Sequence, residues 1–150
     1  MARPVTPLIA ADIIIELSDY PNRPVILIER AFPPLGWAIP GGFVDVGERV
    51  EDAAVREAKE EVSLDVRLTA LLGIYSDPAR DHRGHTVTAC YVAEAAGTPV
   101  AADDAKNCRI FNIDELPGRL AFDHAQVLKD YIEFRMHGQV APLRGKFVGN

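Results

Sequence analysis

Residues 31–48, AFPPLGWAIPGGFVDVGE, carry three prolines and four glycines. Proline lacks a backbone donor and glycine leaves the chain conformationally free, so this stretch sustains neither a helix nor a long strand. We expect a loop with brief extended pieces around Trp37–Ile39 and Phe43–Val46. The next segment, 49–62, contains neither Gly nor Pro. Within it Val55, Ala58 and Val62 recur at i, i+3 and i+7, the spacing of one helix face. Glu48, Glu51 and Asp52 sit where a helix N-terminus favours negative charge. A breaker-rich loop feeding directly into a helix is the junction around which the rest of the chain has to be arranged.

Short apolar runs rich in Ile and Val flank that junction. Residues 7–17 and 24–30 read as strands separated by the turn residues of SDYPNRP, with further strands at 66–75, 85–93 and 107–112. The segment FDHAQVLKDYIEF predicts a final helix. Asp123 is placed as its N-cap with Gln126 three residues on, Phe122 stapled against Val127, and Val127, Leu128, Tyr131 and Ile132 forming the apolar face. The tail after His137 is expected to be partly flexible. Strands, helix, strands, helix without regular alternation describe an α+β sandwich, a mixed sheet covered by helices, and argue against a doubly wound fold. At 150 residues and 48% hydrophobic, the chain is expected to form one domain over residues 1–150.

Acidic residues outnumber basic ones 22 to 16, for a formal charge of −6, and no Lys/Arg-rich run is present. Non-specific binding to nucleic acid or an acidic membrane is disfavoured. Cys90 and Cys108 lack metal-site spacing and are read as buried, reduced thiols of a cytoplasmic protein. No apolar run reaches the ~18 residues of a membrane span, and no targeting segment is expected.

The helix at 49–62 ends in REAKEEVSL, which crowds Glu57, Glu60 and Glu61 together. At ~100° per residue the three carboxylates share one face. Like charges at such spacing cost roughly 0.2–0.5 kcal/mol per exposed pair. Solvent together with Arg56 and Lys59 could offset this, and so could a hard divalent cation such as Mg²⁺, which prefers carboxylate oxygens. The cluster alone leaves both readings open.

The wider spacing points further. Gly42, five residues, Glu48, seven residues and REAKEEVSL follow the pattern G-x5-E-x7-R-E-U-x-E-E-x-G-U, with U aliphatic, over residues 42–64. The chain resembles the Nudix hydrolases. Ser63 is the one departure, where the pattern has glycine. A glycine there would end the helix in a left-handed turn, which serine tolerates at a cost of ~1 kcal/mol, with activity expected to survive.

The resemblance implies an α/β/α sandwich and hydrolysis of a nucleoside diphosphate linked to another group. It implies a catalytic set of Glu57, Glu60, Glu61 and Arg56, with Mg²⁺, or Mn²⁺ as substitute, held by the three glutamates and the Gly41 region. Glu48 and Gly42 are expected to brace the loop against the helix. The general base varies among Nudix subfamilies: Glu57 is the candidate within the box, with Asp81, Glu94, Asp103 and Asp104 outside it. A homodimer is also implied.

The stretch YSDPARDHRGHTVTACY (75–91) resembles the S-D-P-x-R-D-P-R-G-H segment of a Nudix branch that includes ADP-ribose pyrophosphatases and ADP-ribose-sensing regulators. Arg80 and Arg83 suit phosphate oxygens and Asp81 lies between them, while His82 replaces proline and is expected to loosen the loop. LAFDHAQVL (120–128) also looks like that branch, with Asp123 as a cap weighed against His124 as a ligand. Trp37 and Phe32 flank the glycine loop, and stacking of Trp37 on adenine is weighed against packing in the core. The expected small-molecule substrate is ADP-ribose, cleaved to AMP and ribose 5-phosphate. Alternatives are a nucleoside triphosphate pyrophosphohydrolase, a non-catalytic ADP-ribose-binding regulatory domain and a purely structural domain. Against the regulator stand the intact carboxylates and the dozen or so residues that follow the last helix.

Overall fold

The computed structural model describes residues 2–149. Its elements run β1 (Leu8–Leu17), β2 (Val25–Arg30), β3 (Trp37–Ala38), β4 (Gly41–Phe43), α1 (Val50–Val62), β5 (Arg67–Tyr75), β6 (Thr86–Ala95), β7 (Ala105–Phe111) and α2 (His124–His137). β1 is the pivot of a mixed sheet. Along one edge it pairs in parallel with β6, from Leu8↔Thr86 to Leu17↔Ala95. Its other edge is shared: Ala10 to Asp12 pair with β4, and Glu16 pairs with Val25 of β2. The short, glycine-rich β4 leaves before β2 arrives, and the space between them is where a cleft forms. β5 flanks β6, while β3 and β7 flank β2.

Side chains alternate across the sheet with the two-residue period of a strand. Ala11, Ile13, Ile15 and Leu17 of β1 and Tyr91 and Ala93 of β6 join Ala53, Ala54, Ala58 and Val62 of α1. Ile14, Val25, Leu27, Cys90 and Val92 pack with Val127, Leu128 and Tyr131 of α2. Each fully buried aliphatic side chain contributes roughly 1.5–3 kcal/mol, so both faces of the sheet need a helix. The expected α+β architecture with helices on both faces of a mixed sheet is the one observed. Both helices end in a left-handed residue, Ser63 at φ 62° and Gly138 at φ 74°, whose N–H groups donate to Lys59 O and Phe134 O.

Several local expectations need correction. Val55 is 37% exposed, and the buried arc of α1 is Ala53, Ala54, Ala58, Glu61 and Val62. Hydropathy spacing could not place a carboxylate on that arc. The second extended piece of the loop is Gly41–Phe43, not 43–46, because it pairs with β1. Asp123 occupies the N-cap position of α2 without a side-chain capping hydrogen bond. Phe122 packs on the α1 side and Val127 on the α2 side, so they form no staple. Cys108 is only half-buried. The loop before β6 is closed by its own contacts despite His82: Asp77 accepts from the Ala79 N–H, and a ring nitrogen of His85 lies 3.1 Å from Ser76 O. The tail is tied to β5, where the Ala141 N–H donates to Leu72 O, and to α2 through Arg144 and Asp130.

Candidate active site

A cleft of about 390 Å³ opens beside the split edge of β1, lined among others by Asp12, Arg30, Gly41, Gly42, Glu57, Glu61, Arg80, Arg83 and His124. Arg56 organises its helical wall. One edge of the guanidinium meets Glu48 at 2.6 and 3.2 Å, Nη1 donates to Glu57 at 2.8 Å and to Glu60 at 3.1 Å, and Nη2 donates to the Phe43 carbonyl at 3.0 Å. One residue thus ties the glycine loop, the turn before the helix and two helix carboxylates together. The fixed fork of arginine supplies five donors, which an ammonium group lacks.

The two glycines are there for space. A Cβ on Gly42 would lie 2.5 Å from the Glu57 carboxyl group, and one on Gly41 would lie 2.1 Å from Asp12 Oδ1. Backbone and carboxylates therefore meet at distances no other residue permits. The Gly41 N–H donates to Glu61 Oε2 at 3.2 Å.

Burial pushes the Glu61 carboxyl up to about 8; the Gly41 N–H opposes this, and the charges of Glu57 and Asp12 add to it. Burial also raises Glu57, against the pull of Arg56. Two half-satisfied carboxylates lining one cleft are electrostatically short of a positive charge. Their hard oxygen donors, and the room that Gly41 and Gly42 leave beside them, fit a divalent ion such as Mg²⁺. Among the described residues no three acidic, His or Cys side chains already converge on one metal position. Glu60 lies half-exposed on Arg56.

A family model described as "NUDIX domain" matches residues 6–131. This chain belongs to the Nudix hydrolase family. Among curated relatives, an ADP-ribose pyrophosphatase of Methanocaldococcus jannaschii is 42% identical over 132 residues, which are 86% of this chain and 75% of the relative. Among solved structures, a NUDIX hydrolase from Nitrosomonas europaea superposes with TM-score 0.79 at 28% identity, covering 93% of this chain and 77% of that one. The NUDIX domain of Shewanella oneidensis NrtR, complexed with ADP ribose, gives 0.72 at 25%, covering 88% and 90%.

The remaining Nudix residues singled out in the sequence divide between cleft and frame. Arg80 lines the cleft, yet its buried guanidinium is clamped by Asp123 at 2.7 and 2.9 Å and donates to Thr88 at 2.6 Å. That contact is what Asp123 does instead of capping. Asp81, also at the cleft, binds Arg83 through both oxygens, and Arg83 holds it below the usual carboxylate range. Phe32 borders the cleft, whereas Trp37 does not: its indole packs edge-on against Phe111 at 5.2 Å. Of the other candidate bases, Asp104 lines the cleft, the charge of Asp103 helps to raise the Glu57 pKa, and Glu94 pairs with Arg67 at the far end of β6.

Sequence reasoning missed Arg30 and Asp12. Arg30 donates to the Pro34 carbonyl at 2.7 Å and lies 4.8 Å from the centre of the Phe122 ring, with Arg83 at 5.2 Å from the same ring. Burial and then Arg83 lower its pKa, the mark of a guanidinium lacking sufficient counter-charge. Its only sequence signal was a cation at the end of an apolar strand. Asp12 carried the converse signal, a carboxylate within one.

Proposed function

We propose that the chain hydrolyses ADP-ribose to AMP and ribose 5-phosphate with Mg²⁺, or Mn²⁺ in its place. The observation that carries the reading is the pairing within one cleft of under-neutralised carboxylates, Glu57 and Glu61, with guanidinium groups, Arg30 and Arg83. A diphosphate suits both halves: the arginines meet its oxygens directly, and the carboxylates meet them through a cation. The choice of ADP-ribose is supported by the 42% identity to an ADP-ribose pyrophosphatase.

Glu57, Glu60 and Glu61 would hold the ion, with the Gly41 backbone beside them. When bound, it neutralises the diphosphate and lowers the pKa of the attacking water. Arg56 keeps Glu57 and Glu60 in register, and Arg30 and Arg83 orient the phosphates. Glu57 is assigned as acceptor of the water proton; hydroxide adds to one phosphorus while the other phosphate leaves with the bridging oxygen. We also propose that the protein is cytoplasmic and a homodimer, the dimer to be checked by light scattering. Among the described residues no helix is long and apolar enough to cross a membrane.

A panel of ADP-ribose, NADH, diadenosine polyphosphates and nucleoside triphosphates with Mg²⁺ tests the substrate. AMP and ribose 5-phosphate should form from ADP-ribose with the highest kcat/KM. Preference for triphosphates would overturn the substrate, and tight ADP-ribose binding without turnover would make the domain a sensor.

A further inference from the structure

Asp12 is a carboxylate in an apolar strand, and His124 opens α2. Neither has a part in the chemistry above, and they meet. His124 Nε2 lies 3.3 Å from Asp12 Oδ2, with only 4% and 11% of the two side chains open to solvent. The other ring nitrogen, Nδ1, accepts the Ile39 N–H at 3.0 Å. An acceptor at Nδ1 leaves the proton of the neutral imidazole on Nε2, the ring nitrogen beside Asp12.

Asp12 in turn abuts Gly41, where a Cβ would lie 2.1 Å from Oδ1. Between these points the Pro40 carbonyl accepts from the Ile13 N–H at 2.8 Å. Ile39 and Pro40 are therefore bonded to His124 and to β1, and Gly41 pairs with Asp12 in the β1–β4 ladder, against its carboxylate. The Gly41 N–H donates to Glu61 Oε2. A continuous path runs from the start of α2, through the sheet, to the end of α1.

We infer that Asp12 and His124 are a positioning pair: by clamping the Ile39–Gly41 backbone they set the Gly41 peptide against Glu61, and so set the cation platform. An aliphatic residue at position 12 would pack in the strand without desolvating a charge. A carboxylate there makes physical sense if its contacts on His124 and Gly41 govern the site beyond. The inference rests on the cation-dependent reading above and accounts for both Asp12 and the LAFDHAQVL segment.

Mn²⁺ binding to the substrate-free protein, followed by electron paramagnetic resonance, separates positioning from mere core satisfaction. Asp12→Val keeps a branched side chain in the strand and offers the His124 Nε2–H no acceptor. His124→Asn keeps an oxygen near Nδ1 for the Ile39 N–H and removes the reach to Asp12. Each should weaken Mn²⁺ binding about tenfold, with kcat down ~10–100-fold and KM changed less than about threefold. The double variant should be no worse than the poorer single one, because both remove one contact.

Parent-like Mn²⁺ affinity in folded variants, or losses that simply add, would overturn the pair. If His124→Asn does not fold, unchanged affinity in Asp12→Val alone overturns it. A parent that binds Mn²⁺ but leaves ADP-ribose intact refutes the substrate and leaves the pair to be judged on Mn²⁺. A parent that binds no Mn²⁺ refutes both.

Discussion

At the residue scale, Arg56 shows why a box of fixed spacing needs a particular side chain. Its planar fork reaches Glu48, Glu57, Glu60 and the Phe43 carbonyl at once. Arg56→Lys keeps the charge and loses the fork. It should lower kcat/KM by ~10–100-fold and stability by roughly 1–3 kcal/mol, read from steady-state kinetics and urea midpoints. Ser63, the out-of-pattern letter, adopts the left-handed conformation expected of glycine, at φ 62°. Its Oγ donates to the Val100 carbonyl at 2.9 Å, which offsets strain of about 1 kcal/mol with a hydrogen bond of similar worth. That partner is 37 residues away in the chain and left no local signal.

At the scale of the element, α1 carries an internal conflict. The face that holds Ala54, Ala58 and Val62 in the core also buries Glu61. A folded-state value of about 8, above the ordinary 4.5, means that the native state binds more protons than the unfolded chain between those values. Stability therefore falls as pH rises across that window in the absence of metal, by an amount on the order of a few kcal/mol. Glu57, also raised, acts in the same direction. Asp81 and Asp130 are lowered, so their contributions are lost only as pH falls below the ordinary carboxylate range and do not mask the trend. Glu61→Gln should match the parent near pH 4, exceed it in stability at pH 8 in chelator, and lose hydrolysis. Denaturant midpoints at both pH values check the sign; a parent that gains stability between them contradicts it.

The helix and its three glutamates were legible because their signal is local: spacing, no breakers, a fixed box. Which glutamate is buried was not, since that depends on Gly41 approaching from another strand. Arg80 illustrates the same limit. Its position beside the cleft followed from a motif, whereas its clamp on Asp123, 43 residues away, did not. Trp37 adjoins the glycine loop in the sequence, which left stacking and packing both open, and β3 turns it towards Phe111.

For the whole molecule, the cleft and the fold share one electrostatic debt. A cation that binds only the native state stabilises it by RT ln(1 + [L]/Kd), about 2.7 kcal/mol at a hundredfold excess over Kd. Saturating Mg²⁺ should raise Tm by roughly 5–10 °C at pH 8 and by much less at pH 5, where Glu61 is already neutral. Equal shifts at both pH values in differential scanning calorimetry would contradict the link between Glu61 and the ion.

The pairing of β1 with β6 in parallel, from Leu8↔Thr86 to Leu17↔Ala95, also has a temporal side. Parallel neighbours so far apart in sequence are slow to meet. During synthesis the glycine loop and the acidic helix leave the ribosome well before β6, while β1 still lacks the strand that holds it along its whole length. A helix of 13 residues is marginal in water on its own, so the carboxylates become a site only as the sheet that carries α1 closes.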